Sequence, residues 1–259
     1  MEQTNYVSEQ FGLEGKVAMV TGGNSGIGKG IAIGLAKAGA DLFIFTHSSR
    51  GQEEMRQEVE ALGRKIAFAS GDLQEEQVAM AAVEKCVEAY GRIDILVNNA
   101  GTIYRAPLLE GDNEGWRSVM DLNLNAVYYL SKVAARHMKE QGGGKIINIA
   151  SMLSFQGGMY VPSYTASKHG VAGLTKAFAN ELAEHNIQIN AIAPGYIETN
   201  NTEPIRADEG RNKEILSRIP ATRWGKAEDL AAAAVFLSSK ASDYMAGHIL
   251  CVDGGWMVR

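Results

Sequence analysis

Residues Lys16–Ala40 read KVAMVTGGNSGIGKGIAIGLAKAGA. Lys16–Thr21 is short, β-branched and apolar at consecutive positions, the pattern of a strand covered on both faces. Beyond the turn, Ile27, Ile31 and Leu35 fall at i, i+4 and i+8 of a helix that Gly39 is placed to end. Between strand and helix lies Thr21-Gly22-Gly23-Asn24-Ser25-Gly26-Ile27-Gly28. Glycines let the chain turn sharply and bring backbone N–H groups close to a pyrophosphate, and the helix N-terminus adds partial positive charge. The spacing is G-x3-G-x-G rather than G-x-G-x-x-G, and no Gly-Lys-Ser/Thr follows, which argues against a P-loop. A glycine-rich stretch alone is also how a tight turn is made. The strand before it and the helix after it carry the nucleotide reading, with Gly22, Asn24, Ser25, Gly26, Ile27 and Gly28 as candidate binding residues.

The same rhythm continues outward. Leu42–Thr46, Lys65–Ala69, Ile93–Asn98, Lys145–Ala150, Ile187–Ala193 and His248–Val252 read as further strands, with amphipathic stretches between them. Met55, Val59 and Leu62, for example, repeat the helical spacing before Gly63. Strands joined by helices pair in parallel, because a tight hairpin cannot connect parallel neighbours. The expected fold is α/β: a Rossmann-type, doubly wound parallel sheet of about seven strands with helices on both faces. No linker, repeat or low-complexity tract divides the chain, so residues 1–259 are expected to form a single nucleotide-binding domain. The polar stretch 198–220 breaks the rhythm and is expected to form a substrate lid beyond the strand ends.

Composition narrows the function. The chain has 259 residues, 46% of them hydrophobic, and a formal net charge of −5, which suits a large core and offers no basic stripe to nucleic acid. No run approaches a membrane span, and the polar Met1–Gln10 lacks a signal peptide's apolar core, so a cytoplasmic protein is expected. Cys86 and Cys251 form no CxxC pair and read as two buried thiols. His47, His137, His169, His185 and His248 show no metal-ligand spacing, and no metal is expected.

Chemistry enters with Ser151, just after the fifth strand, followed by Tyr164 and Lys168. Tyrosine and lysine four residues apart share a helix face. Free tyrosine has a pKa near ~10, too high for an efficient base at neutral pH; a neighbouring cation stabilises phenolate and brings it into range. A serine hydroxyl at a strand's carboxyl end can hydrogen-bond a substrate oxygen where charge develops. A Tyr-x-x-x-Lys pair alone is commonly a surface pair. The upstream serine and the phosphate loop turn it into a catalytic constellation.

In these motifs the chain resembles the short-chain dehydrogenase/reductase family over essentially its whole length. Thr21–Gly28 looks like that family's TGxxxGxG loop and Asn98-Asn99-Ala100-Gly101 like its NNAG segment. The resemblance implies that Asn99, Ala100 and Gly101 contact the dinucleotide, that Asp72 with Leu73 meets its adenine, and that Pro194, Gly195, Ile197 and Thr199 meet its nicotinamide. Asn123 matches the fourth catalytic position, which helps to position Lys168 through water; a buried asparagine satisfying a helix break is the alternative. The implied reduction moves hydride from nicotinamide C4 to a carbonyl carbon, while Tyr164 protonates the oxygen, Ser151 orients it, and Lys168 holds the ribose and lowers the tyrosine pKa. At the end of the second strand, Thr46 and His47 open the segment Thr46–Arg50, which has no carboxylate to favour a ribose 2′-hydroxyl. NAD(H) is the expected cofactor, with NADP(H) left open. The resemblance also implies a homotetramer, for which the helices around Asp112–His137 and Pro162–Glu184 offer pairing faces.

For the substrate, Arg105 lies just beyond the NNAG segment, and Arg206, Arg211 and Arg218 fall in the expected lid. Arginine binds carboxylates bidentately, which suits an acidic substrate; pairing with Asp208, Glu209 or Glu214 is the alternative. A closer resemblance, to the family's sugar-acid dehydrogenases, covers Ile149–Gly158, Val161–Lys168, Thr199–Thr202, Arg206–Glu209, Ile219–Gly225 and Asp253–Arg259. It implies a small keto or hydroxy sugar acid as substrate, with Ser151, Gln156, Asn201, Thr202 and Arg206 beside Arg105 as contacts. The rivals are a 3-oxoacyl-carrier-protein reductase and, in another class, an NAD(H) sensor without turnover, which would be expected to lose the serine, tyrosine or lysine.

Overall fold

Side-chain alternation in the first strand sorts the core into two layers. In β1 (Val17–Thr21), Ala18 and Val20 join one apolar cluster, while Val17 and Met19 join the other. All five residues are buried, as expected of a strand covered on both faces. The coordinates are a computed structural model and describe residues 5–259.

A short α1 (Tyr6–Phe11) precedes β1, and then α2 (Gly26–Lys37), β2 (Asp41–Thr46), α3 (Gln52–Ala61) and β3 (Ile66–Ser70) follow. Next come α4 (Glu76–Tyr90), β4 (Ile95–Asn98), α5 (Asn113–Met120), α6 (Ala126–Glu140) and β5 (Gly144–Ile149). The chain continues through α7 (Pro162–Leu182), β6 (Ile187–Pro194), α8 (Glu203–Ala207), α9 (Glu209–Arg218), α10 (Ala231–Ser238) and β7 (Ile249–Val252). All seven expected strands form, with ends shifted by one or two residues. Every pairing is parallel, in the order β3-β2-β1-β4-β5-β6-β7. The order reverses between β1 and β4, where strand ends diverge and leave room for a ligand.

One layer packs Ile31 and Leu35 of α2, Met55 and Val59 of α3, and Ala234 and Leu237 of α10 against the sheet. The opposite layer uses Ala79, Val83 and Cys86 of α4 with Leu130, Ala134 and Met138 of α6. A buried polar ladder crosses β4, β5 and α7: Asn98 donates to Asn148 at 2.8 Å, and Asn148 donates to Thr175 at 2.9 Å. It fixes the lateral order of the elements whose ends carry the site. Among the described residues, no helix is long and apolar enough to cross a membrane.

Three expectations change. The stretch 198–220, expected to break the strand–helix rhythm, is helical: a 3-10 turn at Asn200–Thr202, then α8 and α9. Its few apolar residues, Ile215, Leu216 and Ile219, form a third small cluster with Met152, Trp224 and Trp256, so it is anchored to the body. Cys86 is buried but Cys251 is exposed, because β7 is an edge strand with a thinly covered face. The helix expected around Asp112–His137 is continuous but carries a π-turn at Asp121–Asn125. Such turns often mark functional positions.

Candidate active site

The glycine loop closes on itself through backbone contacts. Gly26 sits at φ +51°, and a Cβ on Gly28 would lie 2.3 Å from the Gly22 carbonyl oxygen. Only glycine lets α2 start this close to the loop. Ser25, at the N-cap, makes no side-chain cap bond, so the first N–H groups of α2 stay available at the cleft. The NNAG segment braces the loop from β4. Asn99 Nδ2 donates to the carbonyls of Thr21 and Gly22 at 2.9 and 3.2 Å, while the Thr21 hydroxyl accepts from the N–H groups of Asn99 and Ala100 at 3.0 Å each. Asn24 ties the loop to the end of β2, donating to the Arg50 carbonyl at 3.0 Å.

From this loop a cleft of about 1190 Å³ runs along the carboxyl ends of the strands. At one end it is lined by Thr46, His47, Arg50, Asp72 and Leu73; at the middle by Asn99, Ala100, Gly101, Pro194 and Gly195. Ile197 and Thr199 border it too, and a Cβ on Gly26 would touch the Thr199 methyl at 3.5 Å. Thus every expected dinucleotide residue lies on one continuous surface. An elongated cleft with a glycine cradle, open helix N–H groups and a hydroxyl-rich floor fits a dinucleotide.

Ser151, Tyr164 and Lys168 all line that cleft, with Ser151 close enough to Tyr164 for its hydroxyl to act on the phenol. Ser151 caps a one-turn 3-10 helix at Met152–Ser154, its hydroxyl accepting from Leu153 N–H at 3.1 Å. Pro162 at the first turn of α7 sets the helix so that Tyr164 and Lys168 share a face. The Lys168 ammonium donates to the Ile149 carbonyl at 2.6 Å and lies 5.5 Å from the Tyr164 ring centroid. Burial lowers the Lys168 pKa to about 8. The Tyr164 phenol is shifted upward, first by burial, with Ser151 and the positive charge of Arg105 pulling the other way. Arg105, expected at the substrate, therefore also acts on that phenol.

Asn123 is buried at 1% exposure in the π-turn, which aims its amide across to the loop after β4. Its oxygen accepts from Thr102 N–H at 2.8 Å; its nitrogen donates to the Thr102 carbonyl at 2.9 Å and to Ser167 Oγ at 3.3 Å. The residue therefore locks the NNAG segment to α7, one position before Lys168.

The expected substrate residues divide. Arg105 and Gln156 line the cleft, Gln156 accepting from the Trp256 indole N–H at 3.2 Å. Thr202 borders it, but its hydroxyl donates to Ile197 O at 2.7 Å and accepts from Thr199 N–H at 3.0 Å. Arg206 turns back on the base of its own segment, donating to Thr199 O at 3.4 Å, and does not line the cleft. The side chain of Asn201 lies outside the described residues. Arg211, Arg218 and Trp256 line the cleft as well. Arg211 is paired with Glu214 at 2.6 Å, the alternative foreseen for these arginines.

Comparison with known proteins decides the family. The family model described as "Enoyl-(Acyl carrier protein) reductase" matches residues 22–257. The chain belongs to the short-chain dehydrogenase/reductase family. Within that family it is 54% identical, over 98% of its length and 99% of the relative's, to 2-dehydro-3-deoxy-D-gluconate 5-dehydrogenase of Bacillus subtilis. A solved structure from Agrobacterium tumefaciens, named for a 2-deoxy-D-gluconate 3-dehydrogenase and holding NADP, is 51% identical with a TM-score of 0.90, over 96% of this chain and 99% of that one. The gluconate 5-dehydrogenase of Burkholderia cenocepacia, in complex with NADP and tartrate, is 37% identical with a TM-score of 0.93, over 98% and 100% of the two chains. This short-chain dehydrogenase/reductase thus shares fold and length with sugar-acid enzymes.

Proposed function

We propose that this chain interconverts the 5-hydroxyl and 5-keto forms of 2-keto-3-deoxygluconate with a nicotinamide dinucleotide. The carrying observation is the Ser151–Tyr164–Lys168 set at the end of a glycine-loop cleft, in a chain 54% identical over its length to a 2-dehydro-3-deoxy-D-gluconate 5-dehydrogenase. The tartrate in the Burkholderia relative is a small hydroxy acid of similar kind.

When bound, the nicotinamide supplies or accepts the hydride at the reacting carbon. The protein's residues do the rest. Ser151 Oγ hydrogen-bonds the substrate oxygen and fixes it beside the Tyr164 hydroxyl. Tyr164 gives a proton to that oxygen in reduction and takes it in oxidation. Arg105 stabilises the phenolate electrostatically, and Lys168, held by the Ile149 carbonyl, presents its remaining N–H donors to the ribose hydroxyls. Asn123 acts as a positioning residue through Thr102 and Ser167. The segment 198–220 closes over the substrate as a lid.

For the dinucleotide, the end of β2 carries no carboxylate to repel a 2′-phosphate, and Arg50 borders the cleft beside it. The Agrobacterium and Burkholderia relatives hold NADP. The expected NAD(H) preference therefore has no residue at this strand end to enforce it, and NADP(H) fits equally. The proposal includes a cytoplasmic homotetramer, an assembly that would cover the exposed Trp116 and Tyr128; light scattering measures its mass.

The test is an NADH and NADPH oxidation screen over keto sugar acids and a β-ketoacyl thioester. Turnover confined to the sugar acids supports the reading. Preference for the thioester transfers the chain to the acyl-carrier reductases, and dinucleotide binding without any turnover makes it a sensor.

A further inference from the structure

At the end of the cleft away from the glycine loop, side chains from separate segments pack around Trp256. The Arg218 guanidinium, from the last residue of α9, lies 3.9 Å over the Trp256 ring. The Trp256 ring also meets Tyr196 at 4.8 Å between centroids, and its indole N–H donates to Gln156 Oε1 at 3.2 Å. Trp256 is buried, and its turn is pinned by Asp253, whose carboxylate accepts from Gly255 and Met257 N–H at 2.9 and 2.8 Å. The platform is therefore fixed by the body of the protein, not by the arginine.

A guanidinium held over an aromatic face is restrained there while its N–H donors stay free for a further partner. Among the described residues, Arg218 makes no hydrogen bond or ion pair, whereas Arg211 is neutralised by Glu214 and Arg206 is turned towards Thr199. Gln156 adds a second donor. Because an indole N–H only donates, it holds the amide oxygen and orients the Gln156 NH₂ away from Trp256. Fork and amide both border the cleft.

We infer that Arg218, stacked on Trp256 and flanked by Gln156, is the carboxylate anchor that selects acidic substrates. This rests on the sugar-acid reading above and names the subsite within it. The alternative anchor, Arg105, stands close enough to Tyr164 to act on its phenol, so it belongs to the reacting end. In 2-keto-3-deoxygluconate the carboxyl carbon is four bonds from carbon 5, which separates the two guanidinium roles.

The experiment compares the keto sugar acid with its carboxamide. Arg218→Gln should raise KM for the acid about 10- to 100-fold, the range of a charge-assisted bidentate contact, with kcat and the dinucleotide Kd near wild type. KM for the carboxamide should stay unchanged, so the acid-over-amide preference collapses. Arg218→Lys keeps the charge without the planar fork and should recover only part of the loss; full recovery would overturn the stacked geometry. Equal effects on acid and amide, or none, would overturn the anchor. If wild type turns over the acid but Arg218→Gln leaves the preference intact, only the anchor falls. If wild type turns over no sugar acid, the functional reading falls and the anchor with it.

Discussion

The two ends of the cleft are made in different ways. The glycine-loop end is backbone: Gly22, Gly26 and Gly28 bring main-chain groups to the surface, and Asn99 and Thr21 hold them. The far end is side chain: Arg218, Trp256, Gln156 and Tyr196 meet there from four separated segments around the small cluster of Met152, Ile215 and Ile219. Between them sits the Ser151–Tyr164 pair. A backbone-built site admits few residues at each position but serves any ligand with the same phosphates. A side-chain site is easily altered and so carries specificity. Substitutions should therefore separate into loss of chemistry, loss of dinucleotide, and loss of discrimination.

The largest effect falls at the boundary between the ends. Tyr164→Phe removes the phenol proposed to transfer the proton beside Ser151, so kcat should fall about 10²- to 10⁴-fold while the dinucleotide Kd stays within about twofold. Substantial remaining turnover, read by absorbance of the reduced cofactor, would remove Tyr164 from the chemistry. Gly28→Ala comes next. Its Cβ would meet Gly22 O at 2.3 Å and Asn99 Nδ2 at 2.4 Å, so the loop must open at a cost of about 1–3 kcal/mol. Dinucleotide titration and a thermal melt should both register that cost. Gly157→Ala, at the substrate end, meets nothing within 4 Å and should leave both unchanged. Equal effects from these two glycine variants would erase the contrast between a backbone-built and a side-chain-built end.

That contrast also explains what the sequence made legible. The glycine loop and the Tyr164/Lys168 spacing could be read because sterics and helical period dictate residue type at fixed intervals. The seven strands followed from short apolar runs. The Arg218–Trp256–Gln156 stack could not be read, since Gln156 and Trp256 are 100 residues apart and only tertiary packing joins them. The stretch 198–220 broke the strand–helix rhythm because its apolar positions are few, yet Ile215 and Ile219 suffice to seat α9. The π-turn at Asn123 left no trace, because shifting a backbone bond by one residue barely changes the apolar pattern. The role of Arg105 was half-legible: its place near the site followed from the motif, its action on the phenol only from three dimensions.

Arg105 provides a smaller, directional test. Its charge lowers the Tyr164 pKa, and burial raises it. Arg105→Ala should let the phenol pKa rise. Oxidation needs the phenolate, so the acidic limb of its kcat/KM profile should move to higher pH; reduction needs the phenol, so its basic limb should move the same way. An unmoved profile with a raised KM for the acid would instead make Arg105 a substrate contact and weaken the assignment of the two ends.

The smallest effect distinguishes scaffold from contact within the segment 198–220. Thr202 was expected to touch the sugar, but its hydroxyl joins Ile197 O and Thr199 N–H at the start of the segment that follows β6. Thr202→Val keeps the shape and removes both bonds, leaving a carbonyl and an N–H without partners at about 1–2 kcal/mol. For a chain of this size that corresponds to a fall in Tm of roughly 2–8 °C. Because the segment 198–220 still seats through Ile215 and Ile219 against Trp256, KM for the sugar acid should change little. The opposite result, a KM raised severalfold with Tm intact, would mean that the hydroxyl leaves its scaffold bonds for the substrate. Specificity would then extend from the side-chain end back towards the glycine loop, and the division between the two ends would blur at Thr199, the residue whose methyl faces Gly26.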